Sequence, residues 1–290
     1  MSFAHPEYLI SPQALADKLG NDNLRLFDVS FYLKPNPKGG MIPTSGQEVY
    51  DKEHIPGAAF LNQYDQLTDK NSPVGFTRLP DDELIQAFAD AGIGEDSDVV
   101  FYSTSMTMWS TRAWWLLNYC GHKKAAILDG GLKAWKAAGL ELSTEPASYS
   151  ATEWTSAALG QHFVDKEDVV AAIDNASICT VNALSPEVYA GTGDHHYGRR
   201  GHIPNSINVY YDTLLEDEKF RSPEEIKQSL SDAGLLDDRP VIAYCGGGIS
   251  ATIDAFACLM SGKEDVAVYD GSMGEWVREA SLPLVEGSQP

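Results

Sequence analysis

Short apolar runs alternate along the chain with stretches whose apolar residues fall at helical spacing. Leu24-Arg25-Leu26-Phe27-Asp28-Val29, Val99-Val100-Phe101-Tyr102, Ile178-Cys179-Thr180-Val181-Asn182-Ala183 and Val241-Ile242-Ala243-Tyr244 are of the first kind and predict buried strands. Leu84, Phe88 and Ala91 after Pro80-Asp81-Asp82-Glu83, and Ile226, Leu230 and Ala233 after Ser222-Pro223-Glu224-Glu225, predict helices that end at Gly92 and Gly234. The second start carries the Ser and Glu of a capping box with Pro at the first helical position. Beyond Tyr244 come Cys245, Gly246, Gly247, Gly248, Ile249 and Ser250, followed by Ile253, Phe256, Ala257 and Met260 at the i, i+3, i+4, i+7 spacing. This pattern predicts strand, tight loop, helix.

The pattern occurs twice. His54-Ile55-Pro56-Gly57 is echoed by His202-Ile203-Pro204-Asn205, and Leu128-Asp129-Gly130-Gly131 with Trp135 by Tyr269-Asp270-Gly271-Ser272 with Trp276, in the same order relative to the paired strands and helices. Two copies of one α/β unit are the simplest account, each a mainly parallel sheet with helices on both faces. The expected boundaries are residues 1–142 for the first unit, 143–160 for a Ser-, Thr- and Ala-rich linker, and 161–290 for the second. The Pro- and Gly-rich stretch Tyr32 through Val49 is expected to be a surface loop.

In such folds ligands gather at the carboxyl ends of the strands, where Cys245 is expected. Successive glycines let backbone N–H groups curl around the sulfur, and the following helix turns its positive end toward the same point. Both features favour negative charge on the sulfur, and a thiolate is the nucleophilic form. The first half has Ser103-Thr104-Ser105-Met106-Thr107-Met108-Trp109 at the equivalent place, with neither cysteine nor glycines. One half keeps a candidate nucleophile.

Composition narrows the chemistry. A formal net charge of −21 argues against nucleic acid and anionic membrane surfaces as partners. The four cysteines, Cys120, Cys179, Cys245 and Cys258, form no CxxC pair or metal-finger spacing, which suits a reducing, cytoplasmic setting. Asp194, His195, His196 and His202 are metal-ligand types, yet no i, i+4 His pair accompanies them, so neither a metal nor a cofactor is expected. A cysteine-dependent phosphatase would need Arg at the sixth residue after the cysteine, where Ala251 stands.

The paired His-Ile-Pro elements, the Cys-Gly-Gly-Gly-Ile-Ser loop and Tyr-Asp-Gly-Ser with Trp276 resemble the tandem-domain rhodanese sulfurtransferases from about Tyr8 to Pro283. The resemblance implies an inert first domain and a catalytic second one. Cys245 would take a sulfane sulfur from a small-molecule donor as a persulfide and pass it to a thiol, a thioredoxin-like protein or cyanide. It also implies that Gly246, Gly247, Gly248, Ile249 and Ser250 grip the donor through backbone N–H groups. Thiosulfate enzymes of the family tend to carry Arg-Lys at the second and third loop positions and 3-mercaptopyruvate enzymes Gly followed by Ser or Thr. Gly246 and Gly247 give the neutral pattern, with Gly247 departing from the hydroxyl residue, so 3-mercaptopyruvate is the expected donor and thiosulfate the alternative. A non-enzymatic sulfur-carrier module is the alternative from another class. Val188 stands where the family usually places an Arg, leaving Arg199 and Arg200 as the expected carboxylate ligands. Phe31 and Trp109 match family positions that line the pocket.

Overall fold

The computed structural model describes residues 2–35, 41–154, 159–160, 162–195 and 197–290. In chain order its strands are β1 (Leu9–Ile10), β2 (Leu24–Asp28), β3 (Phe31–Pro35), β4 (Met41–Ser45), β5 (Ala59–Phe60), β6 (Asp98–Tyr102) and β7 (Ala125–Leu128) in the first half. The second half contributes β8 (Phe163–Val164), β9 (Cys179–Asn182), β10 (Ile207–Asn208), β11 (Leu215–Glu216), β12 (Lys219–Phe220), β13 (Val241–Tyr244) and β14 (Val266–Tyr269). Two five-stranded sheets result, ordered β1-β7-β6-β2-β5 and β8-β14-β13-β9-β10, and every pairing in them is parallel. The two orders correspond strand for strand, which bears out the duplicated α/β unit.

The repeated motifs make the same bonds in both halves. Asp28 Oδ1 accepts from Ser30 N at 2.9 Å, and Asn182 Oδ1 accepts from Leu184 N at 2.8 Å. His54 stacks on Tyr50 and donates to its carbonyl at 2.7 Å; His202 does the same with Tyr189 at 2.9 Å. Trp135 and Trp276 each donate an indole N–H to a carbonyl beyond their own helix, Glu141 O and Pro283 O. Each bond closes a turn at a sheet end, so the copies share one scaffold although few residues are identical.

The helix Pro223–Asp232 begins with the expected reciprocal Ser222–Glu225 capping box. Its counterpart Asp81–Asp90 lacks a side-chain cap and instead carries three acidic residues in its first turn, where the helix dipole favours them.

Two helices make the join between the halves. Met108–Tyr119 and Ala251–Met260 are buried at every residue, because each covers its own sheet on one side and meets the other helix on the other. Thr111 Oγ1 and Thr252 Oγ1 lie 2.8 Å apart at the join, and the rings of Trp114 and Phe256 meet edge to face at 4.8 Å. One apolar core therefore runs through both halves, holding Phe27, Phe101 and Trp109 together with Val241, Cys245 and Phe256.

Two expectations need revision. The stretch Tyr32 to Val49 is not a plain loop: β3 and β4 pair antiparallel from Phe31↔Ser45 to Pro35↔Met41, and a short helix, Gln47–Tyr50, follows. A two-stranded ribbon has free edges that accommodate proline, which is why the proline content misled. Residues 36–40 of this stretch lie outside the described residues. The segment 143–154 has linker composition but is tied to the first half: His54 and Ser143 exchange backbone hydrogen bonds, Tyr149 donates to Gly57 O at 2.8 Å, and Thr152 donates to Ile93 O at 2.7 Å. No helix among the described residues is long and apolar enough to cross a membrane.

Candidate active site

Cys245 follows β13, the central strand of the second sheet, and is 2% exposed. The loop after it is wound around one hydroxyl. Ser272 Oγ accepts from Cys245 N and from Gly248 N, each at 3.1 Å, and donates to Tyr269 O at 2.7 Å. Met273 N donates to Cys245 O at 3.0 Å and Gly274 N to Gly246 O at 2.7 Å. Ser272 holds a left-handed φ of 48°, an unfavourable conformation for a side-chain-bearing residue, stabilised here by its three hydrogen bonds. The N–H groups of Gly246, Gly247, Ile249, Ser250 and Ala251 donate to no acceptor among the described residues. They are left for a ligand at the start of the helix.

Each glycine of the loop has its own surroundings. Gly248 adopts φ +72°, and a Cβ there would come within 2.6 Å of Asp270 O. At Gly246 a Cβ would collide with the Tyr197 phenol. A Cβ at Gly247 would meet only Gly75 O, at 3.5 Å, an ordinary contact. Gly246 and Gly248 are required by shape, and Gly247 is not.

Beneath the loop lies a guanidinium that the sequence did not reveal. Arg112, 1% exposed, donates to Gly248 O at 3.0 Å and Phe76 O at 2.9 Å and pairs with Asp270 Oδ1 at 2.6 Å. Asp270 Oδ2 in turn accepts from Arg78 N at 2.9 Å. The mirror-image contact exists on the other side, where Asp129 Oδ1 accepts from Phe220 N at 3.0 Å. Both aspartates thus hold a backbone segment of the opposite half. The signal for Arg112 was present in the internal repeat, since it lies in the first-half segment equivalent to the catalytic loop and its helix, but nothing in its spacing separated it from a solvated arginine.

Phe31 and Trp109 are brought together with Phe76, all ring centroids 5.3 to 5.4 Å apart, in the same apolar core as Cys245. Phe76, with φ 65°, was not singled out by sequence. The segment Val74–Phe76 lies against Gly247 and Gly274, so the first half covers the loop of the second. A cavity of about 480 Å³ opens beyond Asp270, lined by Asp69, Arg78, Phe163, Asp165, Tyr269 and Glu275 among others; Cys245 is not in its lining.

Arg199 and Arg200 are placed differently from expectation. Arg199 donates to Glu279 O at 3.2 Å and Leu282 O at 2.9 Å; Arg200 donates to Gly191 O at 3.1 Å and to Gly193 O. Arg199 ties down the C-terminal segment and Arg200 its own turn, and neither donates a hydrogen bond to the Cys245 loop among the described residues. His202 is buried against Tyr189, whereas His196 lies outside the described residues.

Of the four thiols, the other three are disfavoured as thiolates. Burial pushes the Cys120 thiol up to about 12, and it raises those of Cys179 and Cys258 as well. On the helix that begins at the loop, the fully buried Asp254 has neither carboxyl oxygen hydrogen-bonded among the described residues. Burial first, and then the Cys245 sulfur, raises its pKa well above the usual carboxylate range.

Comparison with known proteins identifies relatives of both halves. A family profile described as a rhodanese-like domain matches residues 11–138 and again 154–279. A probable 3-mercaptopyruvate sulfurtransferase of Pseudomonas aeruginosa is 32% identical over 96% of this chain and 98% of its own. A thiosulfate sulfurtransferase of Gallus gallus is 30% identical over 89% of this chain and 87% of its own. The crystal structure of SseA from Escherichia coli, described as a 3-mercaptopyruvate sulfotransferase, superposes with a TM-score of 0.81 at 24% identity, covering 91% of this chain and 98% of that one. The chain belongs to the rhodanese family, with two rhodanese-like domains. It is a sulfurtransferase, an enzyme that transfers sulfur-containing groups.

Proposed function

We propose that the protein takes sulfur from 3-mercaptopyruvate, carries it as a persulfide on Cys245, and delivers it to a thiol, a thioredoxin-like protein or cyanide in the cytoplasm. The observation that carries this reading is the loop itself. Cys245 follows the central strand and is separated by a five-residue loop from a ten-residue helix, with five neighbouring N–H groups unclaimed among the described residues. Such a cradle stabilises an anionic sulfur and a bound carboxylate without a side-chain cation.

The step balances without a cofactor. The Cys245 thiolate attacks the donor sulfur, the S–S bond forms as the S–C bond breaks, and the bond's electron pair passes into the adjacent carbonyl. The S–H proton stays on the persulfide; the enolate leaves and takes a proton from water to become pyruvate. The acceptor thiolate or cyanide then attacks the outer sulfur and restores the Cys245 thiolate.

The neutrality of the loop favours the keto acid over thiosulfate. Residues 245–250 carry no cation, and Arg112 beneath them is paired with Asp270. A monoanionic donor fits amide groups and a helix end, whereas a compact dianion calls for a side-chain charge. Because Arg199 and Arg200 are bound to carbonyls, the carboxylate is assigned to the free amides. Steady-state kinetics with the two donors in parallel test the reading. A higher kcat/KM for 3-mercaptopyruvate is expected, and a higher value for thiosulfate overturns the donor assignment.

A further inference from the structure

Among the described residues of the segment 193–201, the Tyr197 phenol reaches the loop. A Cβ built on Gly246 would lie 2.0 Å from the Tyr197 hydroxyl and 2.1 Å from its Cζ, so the tip of Tyr197 occupies the space any side chain at position 246 would need. The ring is set edge-on to His195 at 4.9 Å and packs against the core that contains Tyr244, Met273 and Trp276. Burial, and secondarily the Cys245 sulfur, raises the pKa of the phenol, which therefore stays protonated at neutral pH and can donate. Its hydroxyl makes no hydrogen bond among the described residues.

The geometry points to Tyr197 as the hydrogen-bond donor that contacts the sulfur donor at this site, giving its O–H to the oxygen of the departing enolate while its ring excludes any side chain at position 246. The inference rests on the 3-mercaptopyruvate reading. Negative charge develops on that oxygen only as the S–C bond breaks, so the contact strengthens toward the transition state and acts on kcat more than on binding. Tyr197 remains protonated throughout; the enolate is protonated by water. The same ring explains why the second loop position is glycine, a requirement of space and not of backbone conformation, since Gly246 has no positive φ.

Two experiments on the full chain test this. Tyr197→Phe keeps the ring and removes the donor: kcat for pyruvate release from 3-mercaptopyruvate should fall by about 10–100-fold with KM changed far less, while the melting temperature and the rate of Cys245 alkylation by iodoacetamide stay near wild type. Wild-type kcat in Tyr197→Phe overturns the proposal. Failure of the donor reading looks different, since the wild-type protein itself would then release no pyruvate. In the second experiment Gly246→Ala should lose stability in the wild-type background and regain it when combined with Tyr197→Ala, while activity stays low because the hydroxyl donor is gone. A Gly246→Ala variant that is equally destabilised in both backgrounds, or as stable as wild type beside Tyr197, contradicts the contact.

Discussion

Arg112 Nη2 lies 2.6 Å from Asp270 Oδ1, joining a first-domain helix to the turn that follows the last strand of the second sheet. The same guanidinium holds Gly248 O, so one buried ion pair couples the join between the domains to the shape of the Cys245 loop. Removing Arg112 leaves the Asp270 carboxyl without its cation, with only the Arg78 N–H among the described residues still bonded to it, at a cost of about 3–5 kcal/mol. Arg112→Met should lower the unfolding free energy by that order and reduce sulfur transfer in the fraction that remains folded. Chemical denaturation with the activity measured in parallel checks this. A variant with wild-type stability would show that the pair contributes nothing to the join.

Ser272 organises the loop from the opposite side. Ser272→Ala removes the acceptor for Cys245 N and Gly248 N and should cost about 1–3 kcal/mol, with a larger proportional loss in kcat/KM than a distant variant of equal instability. The first domain has Gly131 at the corresponding place, with φ +53°, where a Cβ would come within 2.2 Å of Ser103 O. The half that lacks the loop cysteine therefore also lacks the hydroxyl. Wild-type kinetics in Ser272→Ala would sink the organising role.

Asp28 gives a prediction in pH. Its carboxyl is buried, and that burial raises its pKa to about 6 despite the Ser30 bonds that oppose the shift. Since the folded value lies above the unfolded one, its stabilising contribution is fully present below about pH 4 and is lost as pH rises through about 6. Asp28→Asn should abolish this loss, becoming relatively more stable by about 2–3 kcal/mol between pH 4 and 7. The second domain already carries the amide, Asn182, in the equivalent bond. Parallel stability curves for variant and wild type across that range would refute the assignment.

Asp254 should be dispensable for folding. Asp254→Val replaces a buried carboxyl that has no hydrogen bond among the described residues with an apolar group of comparable size, and should raise stability at neutral pH by about 1–3 kcal/mol. Thermal unfolding measures it directly. A marked loss of stability would mean that the carboxyl has a partner in solution.

Much of this was legible in the chain. The duplicated order of His-Ile-Pro, strand, loop and Asp-Gly elements defined both sheets, because those motifs close turns at sheet ends and so must recur wherever the scaffold does. Cys245 stood out by comparison with Ser103. Arg112, Phe76 and Tyr197 did not, since each acts across a distance in sequence that periodicity does not encode: Arg112 reaches Gly248 from another domain, and Tyr197 approaches Gly246 from a segment whose two arginines drew attention by their charge. An adjacent basic pair says nothing about which carbonyls will claim it, and here the C-terminal segment and a local turn do.

The central claim is that sulfur travels on Cys245. The most direct measurement is the intact mass of the protein, with peptide mapping, after incubation with 3-mercaptopyruvate in the absence of an acceptor. The account predicts one added sulfur per chain, on the peptide containing Cys245, removed by cyanide and absent from Cys245→Ser. Sulfur found instead on Cys120, Cys179 or Cys258, or turnover persisting in Cys245→Ser, would contradict it.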